Sequence, residues 1–311
     1  MNIRIAVLFA AFALAAATPA LSFSMLTKDG AWHEKITREA LATTLQKDTL
    51  GQLAGSRGAL GATGAPDIDA PFKDAAHCDN ADAFSAAGYP QTAVEARAML
   101  DACRKYAFDR IEDAVRDLAA LVTKEGKVVS SQFPSLVSCT FAGDVRGRAK
   151  CNVLQNLGKA MHAAQDFYSH SNWVDQPAVG GATAQNPQGL GQSGAAPYFA
   201  APAAAFPAGL ISGCFDLKSA QSKLSGDAAE TKGCNYKGGL RIKHAFLNKD
   251  DPATPRAAIG GNFERARTAA VEDTRGKWVW FEMRVREVYP GKRGAVMICA
   301  MKTDKAGTCD Y

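Results

Sequence analysis

Histidine is scarce in this 311-residue chain, with five in all. Dense Lys/Arg tracts are missing, and with them the electrostatic footprint of a stable nucleic-acid partner. The net charge is only +5, and Arg4 near the N-terminus supplies one unit of it. No two cysteines are spaced C-x-x-C, which argues against a cysteine zinc site. The chain has no G-x-S-x-G elbow, no H-E-x-x-H pair and no glycine-rich phosphate loop. Those absences remove the usual serine-hydrolase, zinc-protease and P-loop readings. Fixed-period repeats and strand–helix alternation are also missing.

What is present begins with a secretory pattern. Arg4 forms a positive start, Ile5 to Ala17 an apolar stretch, and Thr18-Pro19-Ala20-Leu21-Ser22 a small-residue end. This predicts a signal peptide over 1–22, cleaved after Ala20 or Ser22, because the apolar run is too short to span a bilayer. The mature protein is therefore expected to be secreted or periplasmic. Eight cysteines lie beyond that point, an even number in an oxidising compartment, which implies disulfides. Pairing in sequence order closes short loops: Cys78–Cys103, Cys139–Cys151, Cys214–Cys234 and Cys299–Cys309.

Hydrophobic residues make up 47% and charged residues 22%, ordinary values for a folded chain with a full core. Apolar residues recur at helical steps over 37–50, 92–122, 151–170 and 263–288. Residues 51–71 read as a loop, and 176–209 as a long Gly-, Ala- and Pro-rich surface segment. That segment carries Tyr198, Phe199 and Phe206, and two readings stay open: a lipid-touching lid or a spacer. The tail after Pro290 is expected to hold a short hairpin around Val296-Met297-Ile298. The fold class is all-α, with a helical domain over 23–290 and a disulfide-closed tail over 291–311.

The chemistry concentrates in 157–173. His162, Asp166 and His170 are spaced i, i+4, i+8. Each step advances about 400°, so the three share one helix face. Imidazole nitrogens and a carboxylate converging this way make a first shell for a zinc-type cation, and a carboxylate between two histidines suits a two-metal site. The other histidines, His33, His77 and His244, each lie near acidic or aromatic residues: His33 in Trp32-His33-Glu34, His77 shortly after Asp67 and Asp69, His244 before Asp250-Asp251.

Two stretches carry a family resemblance: Trp32-His33-Glu34-x-Ile36-Thr37, and His162-x-x-Gln165-Asp166-Phe167-Tyr168-x-His170-Ser171-Asn172-Trp173. Together they resemble the Het-C group, which is similar to the bacterial zinc phospholipases C and, more remotely, to single-strand-specific zinc nucleases. The likeness is dense from 157 to 174, short around 32–40 and faint elsewhere. It implies an all-helical fold with two or three zinc ions in a cleft. Carried over by position, it implies His33, His77, His162, Asp166, His170 and His244 as metal ligands, with Asp166 as the bridge. Asp67 or Asp69 would act on the attacking water. The phospholipases place a Glu four residues after the last histidine; Asn248 stands there in this chain, with Asp250 and Asp251 as substitutes. Trp32 lies about ten residues beyond the expected cleavage site, so the resemblance does not fix an N-terminal amine ligand.

The expected function is a secreted zinc-dependent phosphodiester hydrolase of the phospholipase C type. Zinc brings the pKa of water down to about 7, giving a hydroxide that attacks phosphorus in line. The expected partner is a phospholipid or another phosphodiester, with peripheral membrane contact. The alternatives are a non-catalytic secreted module with structural metals, and a zinc nuclease.

Overall fold

The computed structural model describes residues 31–56, 60–71, 73–134, 139–143, 145–202, 204–216, 234–236 and 239–309. The expected signal peptide lies outside them. Ten α-helices are present among the described residues: α1 Trp32–Leu41, α2 Lys47–Ala54, α3 Pro66–Asp69, α4 Asp74–His77, α5 Ala93–Asp117, α6 Ala149–His170, α7 Pro197–Ala200, α8 His244–Leu247, α9 Asn262–Val288 and α10 Lys292–Lys302. The only sheet among the described residues is a two-residue antiparallel pair, Asn235–Tyr236 with Gly239–Leu240. The protein is all-α.

Helix α6 is the axis of the fold. All 22 of its residues are buried, because α5 and α9 pack along it while α1, α2, α4 and α8 close the remaining sides. A helix buried all round is where polar residues must be satisfied inside the protein. That is the setting in which His162, Asp166 and His170 are placed. Helix α5 starts where the sequence signals it: Thr92 Oγ1 accepts from Glu95 N–H, and Glu95 Oε2 accepts from Thr92 N–H, a reciprocal capping box.

The first expected helix is displaced and broken. Instead of one helix over 37–50, α1 ends at Leu41 and α2 begins at Lys47. The cap of α2 comes from far along the chain: Asp304 accepts from the Asp48 and Thr49 amides at 3.0 and 2.8 Å. A cap supplied across that sequence distance leaves no local signal. Helices α2 and α3 also occupy parts of the 51–71 stretch expected as loop.

The tail is helical, where a hairpin was expected. Val296, Met297, Ile298, Ala300 and Met301 are buried in α10. A short continuous apolar run fits either conformation, and here packing against α9 decides for the helix. Lys150 at the start of α6 donates to Thr303 O and Thr49 Oγ1, tying that end of the molecule together.

The 176–209 segment turns its aromatics inward. Tyr198 and Phe199 are buried against Phe167, and Tyr198 also packs on Phe206 and Trp173. Arg256 and Arg265 hold its backbone at Pro187, Gly191 and Gln192. These three aromatics are packed into the core cluster.

All four disulfides join the pairs expected from sequence order: Cys78–Cys103, Cys139–Cys151, Cys214–Cys234 and Cys299–Cys309. They indicate an oxidising, extracytoplasmic environment. Among the described residues no helix is long and apolar enough to cross a membrane.

Candidate metal centre

All five histidines of the chain converge on α6. His162, Asp166 and His170 lie along one face of that helix, as the i, i+4, i+8 spacing requires. Helix α1 brings His33, and α4 brings His77. Cys78 follows in a left-handed conformation (φ 54°), turning the chain so that Asp79 re-enters the cluster while the Cys78–Cys103 bridge fixes the turn to α5. Helix α3 supplies Asp67, α8 supplies His244, and the loop behind α8 supplies Asp250.

The ligand atoms form four overlapping groups of three, each with its atoms within 4.8 Å of one another: His33–Asp67–His162, His77–His162–Asp166, Asp79–His170–His244 and Asp166–His170–Asp250. Asp166 lies between the two ends of the cluster. Its Oδ1 is 3.1 Å from His33 Nε2, and its Oδ2 is 2.9 Å from His77 Nδ1 and 3.0 Å from His162 Nε2. At the other end, His170 Nε2 is 3.0 Å from Asp250 Oδ1, and Asp79 Oδ1 is 3.2 Å from both His170 Nδ1 and His244 Nδ1.

The outer hydrogen bonds fix which ring nitrogens carry protons. His162 Nδ1 is 2.9 Å from Thr63 O, and His77 Nε2 is 3.1 Å from Ala70 O. A carbonyl only accepts, so those nitrogens are the N–H donors. His33 Nδ1 meets Gln165 Oε1 at 2.8 Å. That amide is itself oriented, because Thr274 Oγ1 donates to Ala270 O and so accepts from Gln165 Nε2. When His33, His77 and His162 are neutral, their inner nitrogens are bare lone pairs, all aimed at Asp166. His77 Nδ1 and His162 Nε2 are only 3.2 Å apart. Lone pairs facing a carboxylate repel unless a cation or protons stand between them. N–H groups donating outward to backbone and amide oxygens are also the support that orients metal-ligating histidines.

The cluster draws positive charge to itself. Burial works against the charged form of His33, yet Asp166 outweighs it and the group rises to about 9. Burial and His170 oppose His244, but Asp79 and Asp250 lift it to about 10. Burial holds His162 down at about 4, leaving its inner nitrogen unprotonated among three acceptors. Asp67 is pushed up to about 7 by burial, with Asp166 adding to the rise and His33 opposing it. Burial opposes ionisation of Asp166, Asp79 and Asp250, but the adjoining histidines hold all three below the usual carboxylate range.

The donor set fits divalent ions. With all four buried carboxylates ionised they carry four negative charges, which two divalent cations beside five neutral imidazoles would balance. Among the described residues, Asp67 Oδ2, His244 Nε2 and Asp250 Oδ2 are buried without a hydrogen-bond partner. His244 Nε2 stands 3.6 Å from Asp250 Oδ2. Such orphaned atoms inside a protein call for a ligand. The buried triads can hold metal ions.

Sequence reasoning placed His33, His77, His162, Asp166, His170, His244 and Asp67 here. It also offered Asp69, which the structure puts elsewhere: its Oδ1 accepts from Gly143 N–H at 2.7 Å. Two residues advance about 200° around a helix, so Asp67 and Asp69 diverge. Asp250, not Asp251, joins the cluster. Asn248 Oδ1 accepts from the Asp250 amide at 2.7 Å, and Asp251 instead accepts from Ala253 N–H. Asp79 was missed as a ligand; its one signal was its position two residues after His77.

The supporting packing is tight. Gly158 lies one turn before His162, and a Cβ there would come within 2.3 Å of the Ala62 carbonyl carbon. Glycine thus lets the 61–63 backbone rest on α6, close enough for Thr63 O to meet His162. At the other end Ser169 donates to Asp250 and accepts from Lys249 N–H. The buried Lys249 ammonium holds that loop through Asp175, Ser171 O and Leu247 O.

No curated protein and no solved structure matches this chain. Residues 144–196, which include α6 with His162, Asp166 and His170, match the family model of the VWA7 N-terminal domain.

Proposed function

We propose that the protein is a secreted zinc-dependent phosphodiester hydrolase of the phospholipase C type. The observation that carries this reading is Asp166, whose two oxygens face separate histidines at the centre of a cluster of nine His and Asp groups. Zinc in such a cluster supplies Lewis-acid stabilisation of phosphoryl oxygens and lowers the pKa of water to about 7. His33, His77, His162 and Asp166 would hold one side, and Asp79, His170, His244 and Asp250 the other. Asp67 Oδ2, buried and unpartnered, is the carboxylate available to take a proton from the attacking water.

A second reading has its own support. None of the nine groups is more than 7% exposed. Structural zinc sites are closed, and catalytic ones keep an open position. A non-catalytic module with structural metals would look this closed.

Purified mature protein, loaded with zinc, separates the two on bis(p-nitrophenyl) phosphate and on phosphatidylcholine vesicles. The hydrolase reading expects turnover that chelation removes. Asp67→Asn should then lose about 100-fold or more of kcat, as loss of a general base does, while bound zinc stays near the wild-type amount. Zinc-loaded wild type that cleaves neither substrate would decide for the structural module.

A further inference from the structure

A concave site lies beside the metal cluster and shares backbone with it. It is a groove of about 910 Å³, within the usual range of ligand pockets. The start of α5, residues 83–86, residues 206–211 and Ile242 line it. The same backbone serves both sites: Ile211 O accepts from Asn172 N–H, Gly213 N–H donates to His170 O, and Ile242 directly precedes the Lys243–His244 pair.

The lining is apolar in effect. Phe84, Leu100, Phe206, Leu210, Ile211 and Ile242 present hydrocarbon to it. Tyr89, Asn172 and Gln91 among its polar members are engaged elsewhere. Tyr89 Oη donates to Asp82, and Asn172 donates to Gln188 O and Gly209 O at 2.8 and 2.9 Å. Gln91 donates to Asn80 O and accepts from Arg241.

No carboxylate is among its described lining residues, and Arg97 is the one charged residue that lines it, exposed at its edge and 5.9 Å from the Phe206 ring. Arg104 lies over the same ring at 4.6 Å, but it is held by Asp101 and the Ala204 carbonyl. An apolar trough with the Arg97 guanidinium exposed at its rim complements a long hydrocarbon chain ending in a carboxylate, which an arginine fork grips with two hydrogen bonds.

We propose that this groove binds a long-chain fatty acid, with the chain along Phe206, Leu210 and Ile211 and the carboxylate at Arg97. The inference is independent of the phosphodiester chemistry, because it needs no turnover and no metal.

The test uses the full mature chain and cis-parinaric acid, a fluorescent long-chain carboxylate, with its methyl ester as the uncharged probe. Wild type should show saturable one-to-one binding of the acid. Ala83→Trp puts an indole into the groove and should weaken both probes by about tenfold or more. Arg97→Glu, a surface change that leaves folding intact, should weaken the acid by about fivefold and leave the ester unchanged. Matching melting curves show that the variants are folded. Absence of saturable binding to wild type, as when another part of this chain or a second copy fills the groove, would overturn the proposal. Affinities that neither substitution alters would overturn it too. Equal loss of acid and ester on Arg97→Glu would overturn the carboxylate assignment.

Discussion

Asp166→Asn is expected to remove metal and activity together while leaving a helical, disulfide-bonded protein. The side chain is fully buried, and its two oxygens face the inner nitrogens of His33, His77 and His162. Asparagine keeps the size but turns one oxygen into an NH₂ donor and deletes a negative charge. That oxygen is where two lone-pair groups already point, so one bridging contact is lost outright. Loss of a residue that merely supports a ligand costs about 10–100-fold in metal affinity or activity, and loss of the bridging ligand should exceed that. Bound zinc should fall by at least one ion per chain, and phosphodiester turnover should drop by more than about 100-fold. Lys105→Ala is the control: its ion pair with Asp109 is exposed on α5, far in sequence from any ligand. Metal content, circular dichroism and turnover on the three proteins decide the matter. Asp166→Asn with full zinc and full turnover would show that the carboxylate bridges nothing.

Metal removal should destabilise the fold more than any surface substitution. The cluster joins α1, α3, α4, α6, α8 and the Asp250 loop, so ions there cross-link six parts of the chain. A site held at free metal a thousand times its Kd stabilises by about 4 kcal/mol. At roughly 2–4 °C per kcal/mol for a chain of this size, two such sites correspond to a fall of about 15–30 °C in Tm on stripping. Differential scanning calorimetry before and after chelation, followed by zinc add-back, measures it. Acidification should act in the same direction, because protons compete for the same imidazole nitrogens and carboxylates. Unchanged melting after complete stripping would mean that the cluster is held by its own hydrogen bonds alone.

The parts of this centre legible in the sequence are those with a period or a scarcity. His162, Asp166 and His170 recur at helical spacing on α6, so their common face followed from geometry. With only five histidines in the chain, His33, His77 and His244 could be grouped with them by the family resemblance. The disulfides were legible for a related reason: short loops between consecutive cysteines favour local closure. Asp79 was not, because what returns it to the cluster is the left-handed turn at Cys78, and no periodicity marks a single backbone reversal. Asp250 could not be told from Asp251 because both follow α8 in an irregular loop. The hydrogen bonds of Asn248, Ser169 and Lys249 choose between them. The break between α1 and α2 and the helical tail were hidden for one cause: Asp304, Lys150 and α9 act across the fold, and tertiary contacts override local pattern.

The most direct measurement is the metal content of the purified protein, by inductively coupled plasma mass spectrometry after exhaustive dialysis. Two divalent ions balance four ionised carboxylates beside five neutral imidazoles, so two equivalents of zinc per chain are expected. His162→Ala, which removes a donor shared by two of the ligand groups, should lower that number. A wild-type chain that stays folded, carries no tightly bound divalent ion and takes up none when zinc is supplied would contradict the metal centre itself.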